Sequence, residues 1–224
     1  MHKATKHYDL ILAIFVGLLL ISNIGAVKLI ELGPIITNGG AILFPLTYIF
    51  GDVLTEVYGY KYARRAIWTA FGVMALASIT FLIVGSLPPA NAWENQESWD
   101  AILGFVPRIV IASLVAFLFG QFINSYVLAK LKIKTKGKKL WLRLMGSTIV
   151  GQLIDTTIFG LIAFGGILSG NEMLGFIAFG WAFKVSVEFI FMPVTYQVIK
   201  YLKKDEKLDT YDKKSNFTPF KLDV

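Results

Sequence analysis

The chain has no cysteine and only two histidines, His2 and His7, both close to the N-terminus. A disulfide framework, a thiol nucleophile and a Cys-ligated metal or cluster are therefore excluded. There is no HExxH and no GxSxG, so neither a zinc hydrolase nor a serine hydrolase of the common kinds is expected. There is no GxxxxGK[ST] loop to cradle ATP phosphates; TKGKK at residues 135–139 is basic but lacks the glycine spacing. Nothing repeats like a channel filter. These absences leave no expected catalytic residue, metal or cofactor, and the chain reads as a non-enzyme. Charge is scarce as well. Charged residues make up 17% and apolar residues 55% of 224, whereas a soluble domain carries roughly 25% charged residues.

What is present is a set of long apolar runs. Six are long enough to cross a bilayer, which takes about 20 residues of helix: approximately 9–30, 39–58, 65–87, 104–129, 142–168 and 173–202. The fold class expected is all-α, a polytopic membrane protein of six helices over residues 1–203, with a flexible polar tail at 204–224. The second run is short and holds Pro45, Gly51, Asp52 and Glu56. It reads as a broken or partly re-entrant segment, allowed where protein or water covers the backbone. The first run is too long for a removable signal peptide and lacks a small-residue cleavage site. Of the 22 Lys and Arg, 19 fall in the N-terminus, the second and fourth connections and the tail. The first, third and fifth connections have none. This distribution predicts cytoplasmic N- and C-termini, and it explains the net charge of +7 without nucleic acid as a partner. The lipid bilayer is the expected environment, and a small-residue face at Ala13 and Gly17 permits a homodimer contact.

Three basic residues remain inside the runs: Lys28, Arg108 and Lys184. The acids inside are Asp52, Glu56, Asp155 and Glu188. An ionised Asp at a membrane helix centre costs roughly 2.5–3.5 kcal/mol on insertion scales, so Asp155, in GQLIDTTIFGLIAF, needs a partner. Asp155 and Lys184 both lie near mid-depth at 1.5 Å per residue, and antiparallel neighbours would bring them together. Lys184 and Glu188, at i and i+4, are also placed to pair within one helix. Gln152, Asp155, Thr156 and Phe159 form one helical stripe; Gln121 with Asn124 and Ser22 with Asn23 are further polar pairs. Such groups face inward, either as interhelical glue of about 0.6 kcal/mol each or as a ligand site. A structural ion pair is often replaceable by apolar packing, which favours a ligand for Asp155, Lys184 and Arg108. Lys28 and Glu56 sit at span ends and read as interface contacts. Phe44, Phe159 and Trp181 are candidates to stack on a flat ligand.

Four stretches carry a resemblance: FPLTYIFGDVLTEVYGYKYARR (44–65), RIVIASLVAFLFGQFIN (108–124), GQLIDTTIFGLIAF (151–164) and FKVSVEFIFMP (183–193). Together with Ser22-Asn23, their order and spacing resemble the queuosine precursor transporter family, also called the vitamin uptake transporter family. The resemblance covers about residues 9–203. It implies a six-helix inner-membrane importer of 7-deazaguanines: 7-cyano-7-deazaguanine, 7-aminomethyl-7-deazaguanine or queuine. The implied fold is similar to the substrate-binding subunits of energy-coupling-factor transporters. Positions matching the family's polar pattern are Asn23, Asp52, Arg108, Gln121, Asp155, Thr156 and Lys184, with Glu56, Glu188 and Gln152 where that pattern varies. A carboxylate accepts from the adjacent 2-amino and ring N–H groups of a deazaguanine, a role that suits Asp155. Lys184, Arg108 or Gln152 would meet the carbonyl, and Asp52 an aminomethyl cation or a proton. Three functions compete: a gradient-coupled importer acting alone, a binding subunit that needs an ATP-driven energising module, and a membrane enzyme using Asp52 and Asp155 as an acid pair.

Overall fold

In the computed structural model the backbone is described for all residues except 1–4, 33–34, 105–106, 167, 214 and 221–224; side chains are further excepted at 29–32, 35–38, 41 and 107–109. The chain is built almost wholly of helices: α1 (Tyr8–Gly25), α2 (Phe44–Val53), α3 (Tyr60–Ser86), α4 (Gln96–Leu103), α5 (Pro107–Lys134), α6 (Leu140–Phe164) and α7 (Gly170–Glu206). Five helical stretches are long and apolar enough to cross a membrane: Tyr8–Gly25, Tyr60–Ser86, Val110–Lys134, Leu140–Phe164 and Gly170–Glu206. The chain is a multi-pass membrane protein.

Five of the six expected spans are long single helices among the described residues; the second, read from sequence as broken or partly re-entrant, is not one of them. The second run is broken into a 3-10 turn at Gly39–Ile42, the ten-residue α2, and a π-turn at Leu54–Tyr58. Pro45 in the first turn of α2 suits a helix start, where its missing N–H is not needed. Gly59, at φ 91°, ends the π-turn and reverses the chain into α3. A β-carbon there would lie 2.6 Å from the Thr210 methyl and 3.2 Å from the Asp212 carboxylate. The all-α expectation has one exception, an antiparallel hairpin of β1 (Leu29–Leu32) and β2 (Ile35–Asn38), with Leu29 opposite Asn38 and Leu32 opposite Ile35. It begins in the last residues of the first apolar run, separated by three residues from the end of α1 at Gly25.

α1 buries Tyr8, Ile11, Phe15, Leu19 and Ser22. Their spacing of three and four residues places them on one stripe. That stripe packs with Val53, Leu54, Ala63, Ile67, Ala70 and Phe117 in the main core. α5 and α6 form the most extensive helix pair. A β-carbon on Gly151 would stand 2.7 Å from Asn124 Cβ, and one on Gly120 would stand 3.2 Å from the Gly151 carbonyl oxygen. These two glycines let the backbones approach closely, a small-residue contact of the kind membrane helices use. α7 opens on a capping box, in which the Glu172 carboxylate accepts from Ser169 N at 2.8 Å and Glu172 N donates to Ser169 Oγ at 3.4 Å. At 37 residues it is about 55 Å long, more than the roughly 30 Å hydrocarbon core.

The start of α1 and the end of α7 meet at one end of the bundle, the basic end: His7 N donates to Glu206 at 2.8 Å, and Lys6 meets Asp205 at 3.3 Å. The polar segment after α7, read from sequence as a flexible tail, makes specific contacts there. Tyr60 N donates to Asp212 at 3.0 Å, Arg64 donates to the carbonyls of Asn216 and Thr218 at 2.9 and 2.8 Å, and Trp68 Nε1 donates to the Pro219 carbonyl at 2.7 Å. Phe217 packs against the rings of Tyr60 and Tyr126.

Candidate functional site

The half of the bundle away from the basic end contains a cavity of about 260 Å³, walled by α1, the start of α2, α3, α5, α6 and α7. Six of the sequence-predicted residues line it: Asn23, Phe44, Asp155, Thr156, Phe159 and Lys184. Lys184 Nζ donates to Asp155 Oδ2 at 2.6 Å and to Thr156 Oγ1 at 3.3 Å. The Asp155 side chain is 4% exposed and that of Lys184 is 23% exposed, so the pair forms part of the wall with the ammonium nearer open space. That ammonium also stands 4.7 Å from the centroid of the Phe44 ring, within cation–π range. The Asn23 amide is anchored by donation to the Leu19 carbonyl at 2.9 Å. Phe159 stacks on Phe176 at 6.3 Å and 29°, and Phe176, Phe179 and Phe183 complete an aromatic wall. The cavity thus offers one ion pair, an amide, the hydroxyls of Ser22, Ser113 and Thr156 and several flat apolar faces, the usual makeup of a small-molecule site.

The remaining predicted residues are placed elsewhere. Asp52, Gln121, Gln152 and Glu188 are buried in a layer between the cavity and the basic end. Asn124 Nδ2 donates to Asp52 at 2.6 Å; Thr148 and Gln152 donate to Glu188 at 2.5 and 2.7 Å. The expected Lys184–Glu188 pair along α7 is not formed. Asp155, facing across from α6, takes the ammonium, and Thr148 and Gln152, also on α6, satisfy Glu188. The Gln152 amide N–H group is thereby committed to a neighbour. Trp181 is not in the cavity wall; its indole N–H donates to the Ile149 carbonyl at 3.0 Å. The side chain of Arg108 lies outside the described residues.

A third cluster at the basic end escaped the sequence reading. Glu56, in the π-turn, has no exposed surface and faces three cations. Arg143 grips it with Nη2 at 2.7 Å and Nε at 3.2 Å, Lys203 reaches it at 2.5 Å and Lys132 at 3.4 Å. Asp209 then bridges Lys132 and Lys203 at 2.5 and 2.9 Å. Burial works against the charge on Asp209, but the two ammonium groups hold its carboxyl below the usual carboxylate range. The only sequence signal was an acid at the end of a broken span facing connections rich in Lys and Arg. The cluster ties the π-turn, α5, α6, α7 and the tail together and closes the bundle at this end.

The profile of a family described as "Putative vitamin uptake transporter" matches residues 38–198. Three curated proteins are similar over much of the chain. A "Probable queuosine precursor transporter" of Bacillus subtilis (strain 168) is 35% identical over 189 residues, 83% of this chain and 82% of that protein. The "Queuosine precursor transporter" of Escherichia coli (strain K12) is 28% identical over 166 residues, 73% of this chain and 72% of its own length. A "Probable queuosine precursor transporter" of Haemophilus influenzae is 30% identical over 125 residues, 56% and 51% of the two chains. No solved structure matches.

Proposed function

The chain belongs to the vitamin uptake transporter family, and from that premise we propose that it imports a queuosine precursor, binding a 7-deazaguanine base in the cavity beside Asp155 and Lys184. The observation that carries this reading is the Lys184–Asp155 pair at 2.6 Å on a cavity wall. A base enters with its 2-amino and ring N–H groups toward the Asp155 carboxylate and its carbonyl oxygen toward Lys184. Thr156 and Asn23 are within the same wall to meet its remaining polar edge, and Phe44 or Phe159 covers a ring face. The cavity of about 260 Å³ has room for one bicyclic base. An ion pair that opens to receive a ligand keeps both charges compensated when the cavity is empty, which explains why a membrane helix tolerates Asp155.

The positive-inside pattern orients the basic end to the cytoplasm, in the plasma (inner) membrane, with both termini cytoplasmic. The cavity then lies in the outer half, and the Glu56 cluster closes the path inward. The resemblance of fold to substrate-binding subunits of energy-coupling-factor transporters belongs to this proposal too. Uptake of labelled 7-cyano-7-deazaguanine into proteoliposomes containing this chain alone tests it. Uptake by the wild type that is lost in Asp155→Asn is the result expected. Uptake that persists in Asp155→Asn refutes the site, and uptake that requires an added ATPase module refutes autonomous transport.

A further inference from the structure

Between the cavity and the basic end, the layer containing Asp52 and Glu188 does not line the cavity. Asp52 on α2 is 2% exposed and Glu188 on α7 is 5% exposed. Among the described residues neither has a Lys or Arg within ion-pair distance. The nearby cations are committed, Lys184 to Asp155 and Arg143, Lys132 and Lys203 to Glu56 and Asp209. The partners that Asp52 and Glu188 do have are neutral: Asn124, Thr148 and Gln152.

The same layer contains several buried polar atoms without partners. Asn124 Oδ1 and Gln152 Oε1, the other ends of the amides that serve the two carboxylates, have no partner. Gln121, one turn before Asn124 on the same face of α5, is fully buried with neither amide atom partnered. Three acceptor oxygens and two donors, Gln121 Nε2 and the Tyr48 hydroxyl, are thus left without partners in this layer. The buried Tyr48 hydroxyl faces Asp155. Buried polar atoms are nearly always satisfied, and an unpaired buried carboxylate tends to neutralise. One hydrogen on a carboxyl answers both conditions: it removes a charge and adds an O–H donor.

We propose that Asp52 and Glu188 together form a proton-binding site, and that the proton bound there crosses the membrane with the base. The inference rests on the base-binding reading given above. The titratable and charged groups facing the pair are Tyr48 and Glu56 from the α2 segment, Asp155 from α6 and Lys184 from α7. Gln121, Asn124, Thr148 and Gln152 complete its surroundings. Gln152 lies three residues before Asp155 on α6, and Glu188 lies four after Lys184 on α7. Each is one turn from the cavity pair on the same helix, so the proton site and the base site move as one unit.

The test uses the full chain in proteoliposomes, labelled 7-cyano-7-deazaguanine and a pH-sensitive dye in the lumen. With one proton per base, an inward proton gradient accumulates base about tenfold per pH unit, and the lumen acidifies as base enters. In Asp52→Asn and in Glu188→Gln the protons moved per base fall, and whatever base exchange remains no longer responds to pH. The dye signal of the wild type carries the test even if neither variant folds. Base uptake without lumen acidification, or accumulation driven by a sodium gradient instead, overturns the proton site and leaves base binding intact. Absence of any base exchange by the folded wild type overturns the base reading and this inference together.

Discussion

Replacing Glu56 by Gln should be among the most damaging single changes outside the cavity. Glu56 is fully buried and accepts from Arg143 through both carboxylate oxygens, at 2.7 and 3.2 Å, while Lys203 and Lys132 stand 2.5 and 3.4 Å from it. Glutamine has one acceptor oxygen and turns its amide N–H group toward a cation. Lys132 and Lys203 keep Asp209 as an anion; Arg143, 1% exposed, keeps only the Lys138 carbonyl. Leaving one member of a buried pair uncompensated costs about 3–5 kcal/mol. At roughly 2–4 °C per kcal/mol for a chain of this size, the melting temperature in detergent falls by roughly 6–20 °C, read by circular dichroism. Lys200→Gln removes a charge from an exposed position at the same end and should change stability by less than about 0.5 kcal/mol. Adding Arg143→Gln to Glu56→Gln removes the stranded cation and should restore part of the loss, a coupling of about 0.5–3 kcal/mol. A Glu56→Gln protein within about 1 kcal/mol of the wild type would refute the argument.

Two further outcomes follow from the packing and the tail. Gly120→Ala places a β-carbon 2.7 Å from Asp155 Cβ and 3.2 Å from the Gly151 carbonyl oxygen; overpacking of this kind costs about 1–3 kcal/mol, whereas Gly17→Ala, which meets nothing within 4 Å, should be neutral or slightly stabilising in the same melt. Because Asp209 titrates below its ordinary value, near 3.9, its contribution is fully present above that value and is lost as pH falls through the lower folded value. The fluorescence of Trp68, which donates to Pro219, should therefore stay constant from about pH 7 to 5 in a variant with the other tryptophans replaced, and change only in stronger acid; a transition near neutrality would contradict the assignment.

Much of this arrangement was legible in the residues. Five spans follow from apolar length alone, and the Asp155–Lys184 pair follows from two opposite charges at one depth on consecutive antiparallel helices. Pro45, Gly51, Asp52 and Glu56 warned that the second run was not an ordinary span. They did not reveal the π-turn, because backbone hydrogen-bond register leaves no composition signal. The hairpin was hidden because Leu29 and Ile30 read as the end of the first apolar run and residues 31–38 as a plain connection. Spacing suggested that Lys184 would pair with Glu188, but i,i+4 neighbours compete with facing helices, and α6 supplies a better partner to each. The Glu56 cluster joins residues 56, 132, 143, 203 and 209, which no local pattern links. Its cations had already been accounted for as topology signals.

The most direct test of the central claim is calorimetric titration of the purified protein with 7-cyano-7-deazaguanine, 7-aminomethyl-7-deazaguanine and queuine, with Asp155→Asn and Lys184→Met beside the wild type. Hydrogen bonds to a charged group contribute about 1.5–3 kcal/mol, so the account predicts that the wild type binds at least one of the three and that Asp155→Asn binds it roughly 10- to 100-fold more weakly. Folded wild-type protein that binds none of them, or Asp155→Asn that binds as well as the wild type, would contradict it.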